Sequence, residues 1–268
     1  AGKTTTLRML YGLIDPDGGT ITFEGYDFVK HRTRIKRWIG VCTQHDSLDE
    51  DFNLEQNLFV HASYFRPKVE GLRERVHKMI RQFGLEEQAG QTPRRLSGGY
   101  RRRLMLARSV IHRPRILFLD EPTTGLDPKA RVDLWELIRK MKQEGMGIIL
   151  TTHYMDEAER LSDELVVLSR GRTVANGVPS RVLGEMIGEH VVVVEADSGR
   201  NMEISEWANK KLGNPPTTIL GELHLPMSSS QLGGFSTRFE GLRFEVRRPN
   251  LDDLFQRLTY SSSKEEEG

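Results

Sequence analysis

Short apolar runs and helical periods alternate along the chain up to about residue 168. The segments 38–44, 115–122 and 147–153 are apolar runs that end in polar residues, and they predict buried strands. Between them, apolar residues recur every three or four positions, as in the segment 129–145, which predicts amphipathic helices. Buried strands that alternate with helices are typical of an α/β fold with a mostly parallel sheet, and we therefore predict this fold class.

Two further regions interrupt this alternation. From about residue 45 to 112 the pattern is helical, with apolar residues such as Leu58, Ala62 and Phe65 at helical spacing, which predicts a helical subdomain. After about residue 188, two strand-like segments and a closing helical segment surround a stretch of weak periodicity. We predict a first domain at 1–187, a small C-terminal α+β accessory domain at 188–260, and a disordered polar tail at 261–268.

Composition argues against several functions. Of the 268 residues, 37% are hydrophobic and 29% are charged, and the formal net charge is only +1. Since dedicated nucleic-acid binders usually carry a strong basic excess, we expect no nucleic-acid partner, and we expect the basic runs 30–38 and 101–103 to be mostly solvated surface. No apolar run approaches the roughly 18–20 residues that a membrane helix needs, so we predict no membrane span.

The first candidate site is the sequence Gly2-Lys3-Thr4, which opens the first predicted helix. Backbone N–H groups and the helix dipole attract anions at a helix start, so this element is suited to bind phosphate. In the phosphate-binding loop G-x-x-x-x-G-K-[ST], the lysine reaches the β- and γ-phosphates and the last hydroxyl binds Mg²⁺. Three residues alone leave open the alternative of a lysine near an ordinary helix start.

The second candidate site is the pair Asp120 and Glu121, at the end of an apolar strand. Ligands of α/β sheets bind at the carboxyl ends of the strands, so both carboxylates are placed for chemistry. One carboxylate can orient Mg²⁺ and the next can act on an attacking water. The alternative is a strand-end turn with two solvated acids, and the phosphate element upstream favours the functional interpretation.

The third candidate site is Ser97-Gly98-Gly99, which puts a hydroxyl and two unhindered N–H groups at the start of another helix. The alternative is that Ser97 is a plain N-cap. A plain cap does not explain a second anion-binding helix start in a nucleotide-binding protein. Two such starts fit two subunits that face each other, each completing the site of the other.

These elements resemble, in order and spacing, the motifs of ATP-binding-cassette (ABC) ATPase domains from residue 1 to about 175. The residues that carry the resemblance are Lys3-Thr4, Gln44, Leu96–Tyr100, Leu119–Pro122, Gly125–Asp127 and His153. One departure is Tyr100, where many relatives have glutamine. The resemblance implies a P-loop NTPase core in which the helical subdomain carries the Ser97-Gly98-Gly99 signature. It also implies ATP and Mg²⁺ as cofactors and ATP hydrolysis as the activity.

The same resemblance implies a role for each site residue. Residues that would bind the nucleotide are Gly2, Lys3, Thr4, Thr5, Ser97, Gly98, Gly99, Asp120 and, in the D-loop, Asp127. The signature would grip the γ-phosphate held by the opposite subunit. Asp120 would orient Mg²⁺ together with Thr4 and Gln44, and Glu121 would be the general base. Gln44 would also contact the attacking water and sense the membrane partner, and His153 would contact the γ-phosphate.

Three other segments, 120–131, 149–163 and 247–259, resemble the ATPases of ABC-2-type exporters. These include drug-resistance ATPases of the daunorubicin type and nodulation-type exporters of lipo-oligosaccharide, and the segment 43–66 is most similar to the second group. The partners implied are a second ATPase subunit, as a homodimer, and an ABC-2-type permease at the cytoplasmic face of the cell membrane. A soluble ABC ATPase of translation or repair is the alternative, although such proteins usually carry two cassettes or an inserted coiled coil.

The resemblance also concerns the start of the sequence. The first glycine of the phosphate loop, and the strands that lead into it in the family, would precede Ala1. The resemblance therefore implies a fragment that lacks roughly 35–45 residues of the family pattern. We expect such a chain to bind ATP weakly and to hydrolyse it negligibly, despite Glu121.

Overall fold

The computed structural model describes residues 2–66, 68–195, 198–213 and 215–264. By backbone contacts the chain divides into two compact units, residues 1–153 and 154–268. This division lies earlier in the chain than the predicted domain boundary at 187/188. Because a division by contacts does not test where the ATPase domain ends, that boundary stays a prediction.

The first unit contains a small hairpin, a parallel sheet and several helices. Its elements are α1 (Lys3–Leu10), β1 (Thr22–Phe23), β2 (Tyr26–Asp27), α2 (Arg32–Lys36), β3 (Ile39–Cys42), α3 (Leu54–Ser63), α4 (Leu72–Gln82), α5 (Gly98–Val110), β4 (Ile116–Asp120), α6 (Pro128–Gln143) and β5 (Gly147–Thr151). Two short 3-10 turns, Glu86–Gln88 and Pro93–Arg95, lie between α4 and α5. The three strands that the sequence predicts are thus present as β3, β4 and β5. The prediction that β5 is buried is wrong, because Ile149 is exposed and Ile148 and Leu150 are only half-buried.

The parallel sheet has the strand order β3-β4-β5, which confirms the predicted α/β arrangement. Cys42 pairs with Leu119, and Leu119 pairs with Leu150, so the three strands end at the same edge. Helix α1 packs Leu7 into an aromatic core beside β4, where the rings of Tyr11 and Phe118 meet edge to face at 5.9 Å. This core holds the start of α1 near the sheet.

The helical segment predicted between residues 45 and 112 is present as α3, α4 and α5. A capping box starts α3, because the side chains of Asn53 and Gln56 each accept a hydrogen bond from the backbone N–H of the other. The apolar residues at helical spacing form the core of this segment, and the buried ones include Leu58, Ala62, Val76, Met79, Ile80 and Phe83. Helical spacing therefore identified the buried faces correctly.

The second unit contains a hairpin, a four-stranded sheet and helices. Its elements are α7 (Met155–Leu161), β6 (Leu165–Ser169), β7 (Arg172–Gly177), α8 (Pro179–Met186), β8 (His190–Glu195), α9 (Ser198–Lys211), β9 (Thr217–Ile219), β10 (Glu222–Met227), α10 (Ser229–Arg238), β11 (Glu245–Arg247) and α11 (Leu251–Lys264). The last four strands pair antiparallel in the order β11-β8-β10-β9. With its β-α-β-β-α-β succession this sheet has the split-βαβ, or ferredoxin-like, topology.

Four of these elements, α9, β9, β10 and α10, occupy the stretch that shows only weak periodicity in the sequence. Helix α10 contains Gly233 and Gly234 in its interior, and glycine disfavours a helix by about 1 kcal/mol per residue. Tertiary packing overrides this preference, because Phe235 is wholly buried in the core between the sheet and the helices α9 and α10. Local pattern alone therefore underestimated the regular structure of the accessory region.

Helix α11 continues through Lys264, so the structure makes helical the first four residues of the tail that the sequence predicts to be disordered. The remaining residues of that tail, 265–268, lie outside the described residues. Within the part of the chain that the structure describes, no helix is both long enough and apolar enough to span a membrane.

Candidate functional site

Four of the predicted site residues meet at the carboxyl edge of the parallel sheet. Gln44 follows β3, Asp120 ends β4, Glu121 comes directly after it, and His153 follows β5. These residues are distant in the chain, and the parallel pairing of the three strands makes them neighbours. This edge is the candidate active site.

The Glu121 carboxylate lies at the centre of this site. Its Oε2 atom is 3.2 Å from Nε2 of Gln44, 3.1 Å from Nδ1 of His153 and 3.1 Å from Oγ1 of Thr124. The Glu121 side chain is 16% exposed and the His153 side chain is 46% exposed. A carboxylate that polar side chains hold at an accessible edge can accept a proton from a bound water.

Glu121 also has an unusual backbone conformation. Its φ of 46° is in the left-handed region, which costs a non-glycine residue about 1–3 kcal/mol. Its N–H donates to the carbonyl of Thr151 at 3.0 Å, which ties the turn after β4 to the end of β5. Because such strain persists only where the surrounding structure maintains it, the conformation supports a functional placement of this side chain.

Asp120 links the sheet edge to the start of α1. Its side chain is buried, and its Oδ1 atom accepts hydrogen bonds from Oγ1 of Thr4 at 3.1 Å and from Oγ1 of Thr151 at 2.6 Å. Thr4 and Asp120 therefore present two oxygen atoms next to each other. Oxygen atoms of this kind are the ligands that hard divalent cations prefer.

The other residues of the predicted phosphate loop surround the first turn of α1. Gly2 precedes the helix with φ 92°, a conformation that glycine adopts without steric cost. The Lys3 ammonium donates to the carbonyl of Thr152 at 2.7 Å, next to His153 in the chain, and Thr5 is exposed. The first-turn N–H groups and the Lys3 charge thus lie beside the strand ends that carry the acids.

The signature residues start α5 at a different place in the same unit. Ser97 is the N-cap residue, yet its side chain makes no capping hydrogen bond, so the alternative of a plain cap is not supported. A Cβ atom added to Gly98 would lie 3.6 Å from the Leu126 side chain, and one added to Gly99 would lie 3.1 Å from that of Ala130. The first distance is an ordinary van der Waals contact, whereas the second is tighter, so Gly99 allows α5 to approach α6 closely. Within the described residues, no hydrogen bond joins the signature residues to the side chains at the sheet edge.

Asp127 begins α6. Its carboxylate accepts a hydrogen bond from the N–H of Ala130 at 2.9 Å, and Pro128 occupies the first helical position. The contact that the structure gives Asp127 is thus a helix cap, and its role beside a nucleotide stays a prediction.

Three residues that shape the site are not singled out in the sequence. Thr124 and Thr151 bind the carboxylates of Glu121 and Asp120, and their position within or beside the predicted motifs was the only signal. The third residue, Arg102, is buried, and Arg101 and Arg103 are half-buried in ion pairs, so the prediction that the run 101–103 is mostly solvated is wrong. Residue type and spacing do not distinguish it from Arg101 and Arg103.

Two histidines of the helical segment have strongly lowered pKa values. Burial lowers the pKa of His112 to about 4, assisted by the charge of Arg75, and burial likewise lowers the pKa of His61 to about 4. Nε2 of His112 lies 2.9 Å from the carbonyl of Ile39, and its ring stacks on Phe65 with centroids 3.9 Å apart. Both imidazoles are therefore neutral at pH 7.

Comparison with known proteins gives consistent results. A profile of the ABC transporter family matches residues 1–124. The chain is 39% identical to the Nod factor export ATP-binding protein I of Ralstonia nicotianae, over 97% of this chain and 82% of that protein. It is 40% identical to the protein of the same name from Rhizobium meliloti, over 97% of this chain and 77% of that protein.

Solved structures show the same relationship. One described as an ATP-binding subunit of an ABC transporter superposes with a TM-score of 0.61 at 30% identity, over 70% of this chain and 78% of that chain. A component of an ABC transporter complex from Clostridium perfringens superposes with a TM-score of 0.62 at 26% identity, over 79% of this chain and 80% of that chain. The chain therefore belongs to the ABC transporter family. It is an ATPase subunit of an exporter with a P-loop NTPase fold, which confirms the resemblance seen in the sequence.

Proposed function

We propose that the sheet edge hydrolyses ATP with Glu121 as the general base. The observation that carries this proposal is the carboxylate of Glu121 held by Gln44, Thr124 and His153 within 3.2 Å. In this arrangement Glu121 accepts a proton from the attacking water, while Gln44 orients that water. His153 is half-exposed beside the same carboxylate, so its imidazole is available to a γ-phosphate.

The oxygen atoms of Thr4 and Asp120 fit a magnesium ion. Mg²⁺ binds its ligands at about 2.0–2.1 Å in an octahedron, so two adjacent ligands lie about 3 Å apart. The two oxygen atoms are separated by 3.1 Å. In our proposal these residues hold Mg²⁺, with Gln44 as a further ligand, and the ion neutralises phosphate charge when it is bound. Thr151 orients the Asp120 carboxylate through its 2.6 Å hydrogen bond.

The phosphates of ATP are assigned to the start of α1. Gly2, Lys3, Thr4 and Thr5 supply N–H groups, one ammonium and two hydroxyl groups at a helix start that favours anions. The Lys3 ammonium already lies within hydrogen-bonding reach of the strand end beside His153. A phosphate group in this position is therefore close to both acids.

The signature is assigned to the nucleotide of a second subunit. Ser97 and Gly98 are exposed, the Ser97 hydroxyl makes no capping bond, and the N–H groups at the start of α5 have no partners within the helix. An exposed anion-binding helix start that makes no hydrogen bond to its own sheet edge fits an ATP molecule bound by another copy. We therefore propose a homodimer that closes on two ATP molecules, with Asp127 at the interface.

The protein is proposed to power export of a lipo-oligosaccharide through a separate permease of the ABC-2 type, at the cytoplasmic face of the membrane. The support is the identity of 39–40% with Nod factor export ATP-binding proteins over 97% of the chain. The alternative of a soluble ABC ATPase in translation or repair has no counterpart among these relatives.

A transport assay tests this function. The full-length protein is produced with a candidate ABC-2-type permease, and ATP-dependent uptake of a lipo-oligosaccharide into inverted vesicles is measured. We expect uptake that Glu121→Gln abolishes. ATP-dependent uptake of a drug without uptake of the lipo-oligosaccharide would replace the proposed substrate class, and ATP hydrolysis without any uptake would contradict the role in export.

A further inference from the structure

Arg102 lies in α5, the helix that begins at the signature. It is buried there, with only 7% of its surface exposed. Its guanidinium donates to five backbone carbonyls, those of Thr43 at 2.6 Å, Gln44 at 3.4 Å, Asp120 at 3.0 Å, Glu121 at 2.9 Å and Pro122 at 2.6 Å. One side chain thus hydrogen-bonds the backbone carbonyls of the two segments that carry Gln44 and Glu121.

These carbonyls belong to two separate strand ends. Thr43 and Gln44 follow β3, whereas the other three acceptors span the end of β4 and the turn that carries Glu121. The guanidinium therefore ties the backbone of Gln44 to the backbone of Glu121. The side chains of the same two residues meet at 3.2 Å.

The contacts of Arg102 indicate that it holds the two strand ends in position and is not there mainly to stabilise the fold. A buried arginine usually has a carboxylate partner, because the loss of its hydration is expensive. Among the described residues, Arg102 has carbonyl partners and a contact with the Met105 sulfur at 3.9 Å, but no carboxylate hydrogen bond. A planar fork of N–H donors can hold several carbonyls in a fixed geometry, which the single ammonium of lysine cannot do. The strained φ of Glu121 is maintained next to one of these bonds.

Two other arginines of α5 fix the segment after Gln44. Arg101 lies 2.6 Å from the carboxylates of Asp46 and Glu50, and Arg108 donates to the carbonyl of Ser47 at 2.6 Å. Helix α5 is therefore attached to the Gln44 segment at several points, and Arg102 is the point that also reaches Glu121.

We propose that Arg102 is a positioning residue for ATP hydrolysis. It couples the helix that begins at Ser97 to the strand ends of Gln44 and Glu121, so that the general base has its working geometry only while α5 is in place. This inference rests on the proposed role of Glu121. It assigns to the signature helix a second task inside its own subunit, besides the contact with a nucleotide of another subunit.

Arg102→Lys tests the inference in the full-length protein, because lysine keeps the charge and loses the fork. We expect kcat to fall about 100-fold, the effect of a 1 Å displacement of a reacting group, while the Kd for ATP changes less than about threefold. Turnover is divided by the number of ATP sites found by titration, so that unfolded protein does not lower the measured kcat. The matched control is Arg103→Lys, since Arg103 binds Asp133 on α6 at 2.6 Å and should keep both constants. Unchanged kcat in Arg102→Lys, or parallel losses in kcat and ATP affinity, overturns the inference.

A double-mutant cycle separates this inference from the assignment of the base. If Arg102 acts through Glu121, Arg102→Lys should change the residual turnover of Glu121→Gln by less than about threefold. A further 100-fold loss in the double variant would show that Arg102 acts independently of Glu121 and would refute the coupling. Normal turnover of Glu121→Gln alone would instead overturn the proposed base, and the 100-fold loss in Arg102→Lys would then have to arise through Gln44.

Discussion

The side-chain amide of Gln44 donates a hydrogen bond of 3.2 Å to the carboxylate of Glu121, 77 positions further along the chain. The bond connects the loop after β3 to the turn after β4. A displacement of that loop therefore changes the surroundings of the proposed base directly. This contact gives a physical route by which a partner that touches the Gln44 loop can control hydrolysis.

Glu121→Gln should bind ATP without turning it over. The amide cannot accept the proton of the attacking water, and loss of a general base lowers kcat about 10²–10⁴-fold. Gln is nearly isosteric with Glu, so ATP affinity should persist and the full-length variant should accumulate as an ATP-bound dimer. Steady-state ATPase assays and size-exclusion chromatography with ATP measure the two effects. Near-normal turnover would remove Glu121 from the catalytic role.

Ser97→Arg should leave ATP binding by one subunit intact and prevent hydrolysis. The exposed Ser97 makes no hydrogen bond to its own sheet edge, so the added arginine obstructs a second subunit and not the first. Lys3→Ala should instead weaken ATP binding by a single subunit, because it removes the ammonium that is proposed to reach the phosphates. Nucleotide titration of each full-length variant measures this contrast.

Mixing the same two variants tests whether the sites are shared. A dimer of one Ser97→Arg subunit and one Lys3→Ala subunit retains one unaltered composite site, so ATPase activity should reappear on mixing. Equal loss of ATP affinity in both separate variants, with no recovery in the mixture, would contradict a signature that acts on the other subunit.

Thr4→Val should raise the Mg²⁺ concentration that gives half-maximal ATPase activity. The change removes one of the two oxygen atoms that lie 3.1 Å apart, and Thr151→Val removes the bond that orients the other. Loss of an orienting partner weakens metal binding about 10–100-fold, and loss of the ligand should weaken it at least as much. Thr6→Val is the matched control, because the Thr6 hydroxyl donates to the Gly2 carbonyl and not to Asp120. Equal Mg²⁺ dependence in all three variants would exclude Thr4 as a ligand.

The accessory region from residue 188 onwards should not be required for ATP hydrolysis. The proposed catalytic residues lie within residues 1–153. Deletion of residues 188–268 would expose apolar side chains of α8, since Val182 and Leu183 pack with Leu251 and Leu254 of α11. Phe235→Ala is therefore the better variant, since it leaves α11 in place and destabilises the accessory core by about 3–5 kcal/mol. Loss of ATPase activity while the first unit remains folded would show that the region is catalytic.

Acid should destabilise the first unit through His112 and His61. Their pKa values are about 4 in the folded chain and about 6.5 when unfolded, so the unfolded state binds more protons as the pH falls below 6.5. Each histidine then costs about 2 kcal/mol of folding stability between pH 7 and pH 5. His112→Phe keeps the stacking on Phe65 and should reduce this acid loss, as measured by urea unfolding at both pH values. The control His31→Gln changes an exposed ring, and an equal acid loss in all three proteins would refute the assignment.

Local sequence was sufficient for much of the fold and for most of the site. The sequence pattern identified β3, β4 and the helices α1 and α3 to α6, because burial in these elements follows the pattern. It also identified β5 as a strand, although β5 is not buried, and it did not predict the short helix α2. The pair Asp120 and Glu121 was recognisable because the carboxyl ends of parallel strands meet at one edge of an α/β sheet, where ligands bind. The helix start at Gly2 was recognisable only together with the other motifs, because glycine, lysine and threonine alone also fit an ordinary helix start.

Other properties arose only when the chain had folded. Arg102 is indistinguishable from its neighbours in the sequence, and it is buried because packing turns that position of α5 toward two strand ends. Pairing of β8 with β10 and β11 cannot be inferred from the weak pattern between them, since such contacts depend on partners far along the chain. Sequence determined which side chains are suited to phosphate, metal and proton transfer, because their chemistry is local. Tertiary structure decided that Gln44 and His153 both lie beside the Glu121 carboxylate, because distances between residues far apart in the chain are set by packing.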